Sequence, residues 1–347
     1  MNSSAEAPQV QPEGAPPLKL MAQITAYRTS QCIRALVELG IPALLAQDAW
    51  SVEDLAAKTG SRAALLDRLL THLVNMDVIG KDDQERYVGL PVTRYLMPGH
   101  QKSLSNWIAC ELDPLLWRSW ERLTDQLRSG TTAFDLAHGS AFFEWHARDN
   151  AAQKRFDDQM HEASQGIGAV VVRSMHFEPG TKITDVGGGN GSFLAQTLEK
   201  NPGTEGTLFE LPRAVESYDP LFENMRHERR ATVVTGSFFE SVPGGAEVYL
   251  FSRVFHDFND HAATTILQNT RRALTGGERL FLIEIMTDAV EIGAWGSSQD
   301  MFMLTQLGGR ERSAEEFSQL LAQTGFETLS VTPTASPVRI LEFRAAD

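Results

Sequence analysis

The segment Asp185-Val-Gly-Gly-Gly-Asn-Gly191 constrains this chain more than any other, because its glycines stand between a strand-like run, TKITDV, and a helical one, SFLAQTLEK. Glycine lets the backbone turn sharply and approach a ligand without a Cβ in the way, and the free N–H groups at a helix start favour a carboxylate or phosphate. The spacing is G-x-G-x-G over Gly187, Gly189 and Gly191, with an acid, Asp185, two residues ahead. A dinucleotide fingerprint needs a further glycine where Ser192 stands, so that motif is not met.

Around this loop, short apolar runs take turns with helical patterns. TKITDV, TLFEL, ATVVT, EVYLFS and RLFLIEI are separated by SFLAQTLEK, PRAVESY and HAATTILQNTRRAL. Strand and helix in alternation predict an α/β chain with a doubly wound, Rossmann-like parallel sheet. FETLSV and VRILEF predict a terminal hairpin that adds an antiparallel edge. Glu210 ends the strand after the loop, about 20 residues on, where a carboxylate can accept both hydroxyls of a ribose.

The first half has a different texture. Residues 1–17 combine Pro, Ser, Gln, Glu and Gly with little apolar content, which predicts a disordered tail. Helical periodicity over Leu18–Leu45, broken by Gly40 and Pro42, predicts two helices. Then SVEDLAAKTG and SRAALLDRLLTHLVNMDVI read as a helix-turn-helix, with Ser51 as cap and Asp54 at the capping-box position. KDDQERYVGLPVTRYL supplies the hairpin of a winged helix. Such a unit can read DNA, but Arg62 and Arg68 share their helix with Asp67 and with Leu65, Leu66, Leu69, Leu70, Leu73 and Val74. That broad apolar face suits packing against protein, and a net charge of −14, from 31 Lys plus Arg and 45 Asp plus Glu, opposes phosphate backbones. Nucleic acid is not the expected partner.

From about Ser103 to Gln165 a helical stretch carries Trp107, Trp117, Trp120, Phe134, Phe142, Phe143 and Trp145. Most are expected in the core, with some lining a ligand pocket. The expected division is a tail (1–17), a winged-helix-like domain (18–100), a helical pocket segment (101–165) and a Rossmann-like domain (166–347). Cys32 and Cys110 form no CxxC pair and have no histidine spaced to complete a zinc site, so neither a disulfide framework nor a metal is expected. The amino terminus has no signal-peptide pattern, and no stretch approaches the roughly 20 apolar residues of a membrane span. A cytoplasmic location follows.

The motifs DVGGGNG, LFELP, TGSFFESVP, SRVFHDFND, LIE and GGRERSAEEF occur in this order, and with them the chain resembles the small-molecule O-methyltransferases typified by plant caffeate, acetylserotonin and bacterial polyketide or phenazine O-methyltransferases. The likeness runs from about residue 20 and is densest from Met160 to Glu316. It implies S-adenosyl-L-methionine as cofactor and a homodimer built through the amino-terminal domain. It also implies an aromatic, hydroxylated small molecule as acceptor, as in natural-product biosynthesis. By the resemblance, Asp185, Gly187, Gly189 and Ser164 surround the methionine part of the cofactor and Glu210 takes the ribose. Ser237, Phe238 and Phe258 fall beside the adenine, and Ser252 is grouped with them. Met160 and Met301 wall the acceptor, with Trp107 and Phe302 as further pocket residues.

His256, in VFHDFND just past the strand EVYLFS, falls on the family's catalytic base. Glu284 and Glu311 match the acids that bracket it. Glu284 interrupts an apolar strand, where an unpaired charge is costly, so it must have a partner; Glu311 has Arg310 and Arg312 beside it. Either Glu284 or Asp257 is expected to orient the imidazole. Three departures touch the adenosine: Ser237 stands for the usual Asp, Phe258 for the common Trp and Glu210 for the commoner Asp. The rival readings are an N-methyltransferase and a hydroxylase, decarboxylase or pericyclase that uses the cofactor without methylating. Retention of His256, Glu284 and Glu311 opposes the second.

Overall fold

The computed structural model describes residues 17–100, 102–212, 218–289 and 293–346. The expected tail, except residue 17, and most of the helix expected at PRAVESY lie outside the described residues. The chain divides into two compact units, Met1–Leu112 and Asp113–Asp347.

The first unit holds α1 (Leu18–Thr25), α2 (Tyr27–Glu38), α3 (Ile41–Leu45), α4 (Val52–Thr59), α5 (Ala63–Asn75), β1 (Ile79–Lys81), β2 (Tyr87–Gly89) and α6 (Ser105–Glu111). Where two helices were expected before residue 45 there are three, because the chain breaks once at Ala26 and again at Gly40, whose φ of +68° no β-carbon residue adopts easily. The Ser51 hydroxyl accepts the Asp54 N–H at 3.1 Å and starts α4 as its sequence implies. Leu36, Ile41, Leu55, Leu66, Leu70, Leu73 and Tyr87 form this unit's own core. Leu18, Leu20, Met21 and Ile24 of α1 stay exposed.

In the second unit α7 (Pro114–Trp120), α8 (Leu123–Ser129), α9 (Ala133–His138), α10 (Phe142–His146) and α11 (Asn150–Val171) precede the sheet. Its strands are β3 (Lys182–Val186), β4 (Glu205–Glu210), β5 (Ala231–Thr235), β6 (Val248–Ser252), β7 (Arg279–Ile285), β8 (Phe326–Pro333) and β9 (Val338–Ala345), in the order β5-β4-β3-β6-β7-β9-β8. The helices α12 (Ser192–Lys200), α13 (Pro220–His227), α14 (Asp260–Ala273), α15 (Gly293–Leu307) and α16 (Ala314–Ala322) complete it. β3 to β7 run parallel, while β9 pairs antiparallel with β7 and β8 with β9, so the expected doubly wound sheet and its hairpin edge are both present. Val248–Phe251 and Leu280–Ile285 are buried without alternation, as strands covered on both faces must be.

The chain winds outward from β3 through β4 to β5, then returns to β6 on the other side of β3. That reversal opens a crevice at the carboxyl ends of the strands, the place where open α/β sheets take ligands. In the aromatic segment, Phe134 and Phe142 are buried with ring centroids 5.2 Å apart, and His146 packs on Phe142 at 4.2 Å. These rings are core.

Candidate active site

Five strands deliver their last residues, or the ones just after, to one rim: Asp185 and Gly187 from β3, Glu210 from β4, Ser237 from β5, Ser252 and Arg253 from β6, Glu284 from β7. The glycine loop turns through φ values of +72°, +58° and +83° at Gly187, Gly189 and Gly191. A Cβ on Gly187 would meet Val254 Cγ2 at 3.0 Å, and one on Gly191 would enter the Phe222 ring at 2.6 Å. At Gly189 nothing stands within 4 Å. A side chain at Gly189 would be penalised by the backbone conformation and not by crowding, and the open space above it leaves room for a ligand.

Asp185 is fully buried beneath this loop, and neither of its carboxylate oxygens has a hydrogen-bond partner. Burial, helped by the nearby charge of Glu210, pushes its pKa up to about 7. A carboxylate left this way puts negative potential under the loop, which suits a ligand with a cationic centre. Glu210 accepts the Gly189 N–H at 3.0 Å through Oε2 and the Leu211 N–H at 2.7 Å through Oε1, so it braces the loop from the neighbouring strand. Ser237 follows β5 and its hydroxyl accepts the Phe239 N–H at 3.3 Å. Phe238 and Phe258 meet edge to face at 5.7 Å, and Phe239 closes the group 5.2 Å from Phe258. These aromatic faces, the glycine cradle and the two acids fit the sulfonium nucleoside that the motifs imply.

The catalytic-base candidate sits in a single 3₁₀ turn, Phe255–Asp257, immediately after β6. His256 Nδ1 lies 2.8 Å from Glu284 Oε2, and Nε2 lies 3.1 Å from Asp257 Oδ1. Glu284 Oε1 accepts the N–H groups of Val254 (3.0 Å) and Phe255 (2.8 Å), so one buried carboxylate fixes both the ring and the turn that carries it. The partner that a charge inside β7 required is thus His256. Burial and Arg253 push the imidazole pKa down, but Asp257 and Glu284 outweigh them and carry it up to about 10. For Glu284 burial works upward, yet His256, Arg253 and the backbone donors hold the carboxyl below its usual range.

Glu311 pairs with neither Arg310 nor Arg312. Its Oε1 receives Arg253 Nη1 at 3.4 Å, while Oε2 is buried without a partner. Burial raises its pKa against the pull of Arg253. Arg310 instead pairs with Asp260 and Glu316, and the buried Arg312 reaches the carbonyls of Phe255 (2.9 Å) and Phe258 (2.8 Å) as well as Asp260. A Cβ on Gly309 would collide with the backbone of His256 and Asp257, and the Arg310 N–H donates to the His256 carbonyl at 3.0 Å. The segment after α15 is therefore knitted onto the turn that holds the histidine. His256, Glu284 and Glu311 offer ligand atoms within 4.8 Å of one another, and the positive charge facing those oxygens is Arg253.

Sequence reasoning had missed Arg253, Gly309 and Arg312. A charge tally would have found the first, since Glu284, Glu311 and Asp257 outnumber one histidine and Arg253 stands only three residues before it. Of the expected acceptor-side residues, Met301 and Phe302 lie half-buried on α15 and Met160 is exposed on α11. Trp107 stands on α6 of the first unit, and the Ser164 side chain lies outside the described residues.

The O-methyltransferase domain model matches residues 120–327, and the O-methyltransferase dimerisation domain matches residues 21–99. The mitomycin biosynthesis 6-O-methyltransferase of Streptomyces lavendulae is 33% identical over 321 residues, 91% of either chain. The solved mitomycin 7-O-methyltransferase MmcR superposes with a TM-score of 0.87 at 30% identity, over 95% of this chain and 97% of its own. NcsB1, an O-methyltransferase from neocarzinostatin biosynthesis solved with S-adenosylmethionine and 2-hydroxy-5-methyl naphthoic acid, superposes with a TM-score of 0.80 at 27% identity, covering 96% and 99% of the two chains. The chain belongs to this family: it is an S-adenosylmethionine-dependent O-methyltransferase with an amino-terminal dimerisation domain.

Proposed function

We propose that this enzyme methylates a hydroxyl of an aromatic natural product, with His256 as general base. The observation that carries the reading is the buried His256–Glu284 contact of 2.8 Å on a turn whose Val254 lies against the glycine loop. S-adenosylmethionine, when bound, supplies a methyl group on a positively charged sulfur. Asp185, Gly187, Gly189 and Glu210 would hold its amino-acid and ribose parts, and Ser237, Phe238, Ser252 and Phe258 its adenine side.

A phenol has a pKa near 10, so only about one molecule in a thousand is ionised at neutral pH, and the neutral hydroxyl attacks poorly. His256 Nε2 takes that proton, which is worth roughly 10² to 10⁴ in rate. For this the acceptor hydroxyl replaces Asp257 at Nε2, which removes one of the two carboxylates that raise the ring's proton affinity. Glu284 keeps Nδ1 protonated and stabilises the imidazolium that results. Glu311 supplies the second flanking acid, and Met160, Met301 and Phe302 wall the acceptor.

In this reading residues 18–100 build a homodimer, for which the exposed Leu18, Leu20, Met21 and Ile24 are the supporting surface. Residues 101–165 serve the pocket and 166–347 the chemistry. The thiols of Cys32 and Cys110, which form no disulfide, and the charge of −14 support a cytoplasmic enzyme that does not engage nucleic acid, and among the described residues no helix is long and apolar enough to cross a membrane. Incubation with methyl-labelled cofactor and a panel of phenols, naphthols, polyketides and ring-nitrogen heterocycles, read by product mass, tests the reading. Label on an aromatic oxygen supports it; transfer only to nitrogen, or to aliphatic hydroxyls alone, overturns it.

A further inference from the structure

Arg253 is placed where a side chain rarely goes. It directly follows β6 with φ +58°, in the left-handed region, while its N–H still donates to the Ile283 carbonyl of β7 at 2.9 Å. This backbone kink points the guanidinium between two buried acids: Nη1 lies 3.4 Å from Glu311 Oε1 and 3.7 Å from Glu284 Oε2, the oxygen that also meets His256. Strain of this kind persists where the surroundings demand it.

The charges around the imidazole are few and can be counted. Asp257 faces Nε2, Glu284 faces Nδ1, and Glu311, from the segment after α15, faces Arg253 with its other oxygen unpartnered. Asp300 of α15 accepts the Glu311 N–H at 2.9 Å, and the guanidinium groups of Arg310 and Arg312 pair with Asp260. Arg253 is therefore the cation that separates Glu284 from Glu311. Without it the two carboxylates would share a dry site with only the imidazolium to balance them, and one proton would be held there more tightly.

We infer that Arg253 is a positioning residue: its guanidinium bridges Glu284 and Glu311, holds the two carboxyl groups aligned, and so sets the pH range in which His256 can accept a proton. The inference rests on His256 being the base. An opposite charge within about 4 to 6 Å typically moves a pKa by 1 to 3 units, which fixes the size of the effect to be read.

The test is the pH dependence of kcat, which reports the complex in which acceptor has replaced Asp257, for the wild type, Arg253→Lys, Arg253→Met and His256→Ala, with Arg253→Gln as a second neutral variant. In Arg253→Met and Arg253→Gln the acid limb moves to higher pH by about one unit and turnover recovers toward the wild-type value on the alkaline side; Arg253→Lys keeps the wild-type midpoint. An unmoved midpoint in the neutral variants, or a loss of rate equal at every pH, overturns the inference. Activity retained in His256→Ala would instead remove the base reading, so the two failures are told apart.

Discussion

Glu284 binds the His256 ring and the backbone beneath it with the two oxygens of one carboxylate, at 2.8 Å to Nδ1 and at 3.0 and 2.8 Å to the N–H groups of Val254 and Phe255. Replacing it by Gln keeps the shape and removes the charge that stabilises the imidazolium. Glu284→Gln is expected to lower kcat by at least about 10²-fold. Breaking a buried pair costs on the order of 3 to 5 kcal/mol, so its melting temperature should fall as well. Steady-state kinetics with wild-type turnover would refute the pairing's role.

Asp257 faces the other ring nitrogen, Nε2. It and Glu284 hold the imidazole pKa up, to about 10, against burial and Arg253. Asp257→Asn removes one of the two carboxylates, so the acid limb of kcat/KM should shift to lower pH. The stability sign follows from the same raised pKa: the ring's pairing stabilises the fold fully below its unfolded value of about 6.5 and is lost as pH rises toward 10. The variant's melting deficit should therefore be larger at pH 6 than at high pH, and a deficit independent of pH would contradict this.

Asp185 is expected to trade stability for binding. Its pKa, raised from 3.8 to about 7, means that the fold is progressively penalised as pH rises between those values, because the unfolded chain loses this proton there while the buried group still holds it. Asp185→Asn should raise the melting temperature of the ligand-free enzyme by a few degrees, more at pH 8 than at pH 4, while weakening S-adenosylmethionine binding. Differential scanning fluorimetry and calorimetric titration read the two effects; a destabilised, tight-binding variant would be the opposite result.

Two positions of the glycine loop should separate cleanly. Gly191→Ala drives a methyl into the Phe222 ring and adds left-handed strain, whereas Gly189→Ala adds only the strain, on the order of 1 to 2 kcal/mol. Thermal melts should show Gly191→Ala as the less stable of the two, with Gly189→Ala losing cofactor affinity out of proportion to its stability. Equal melting temperatures would contradict the packing.

The sheet was legible in the sequence because strands covered on both faces carry unbroken apolar runs, as EVYLFS and RLFLIEI do in VYLF and LFLI. Glu284 could be read as paired for the same reason: a charge inside such a run needs a counter-ion. Helix boundaries were less legible, since nothing in the periodicity of Leu18–Leu45 announces the break at Ala26. Arg253, Gly309 and Arg312 escaped because their roles come from contacts across 50 residues or more, as between Arg312 and the Phe255 carbonyl, or from a positive φ at a non-glycine residue. Such features belong to tertiary placement, and residue type alone does not encode them. The partners of Glu311 show the same limit: Arg310 and Arg312 are its sequence neighbours, yet the ion pair forms with Arg253.

The most direct test of the account compares His256→Ala with the wild type in two measurements on the same preparation, calorimetric affinity for S-adenosylmethionine and single-turnover methyl transfer to an accepted phenol. Because His256 lies beside the loop and not within it, the affinity should be unchanged while the transfer rate falls by about 10² to 10⁴. A variant that binds the cofactor normally and transfers the methyl group at the wild-type rate would contradict the assignment of His256 as base.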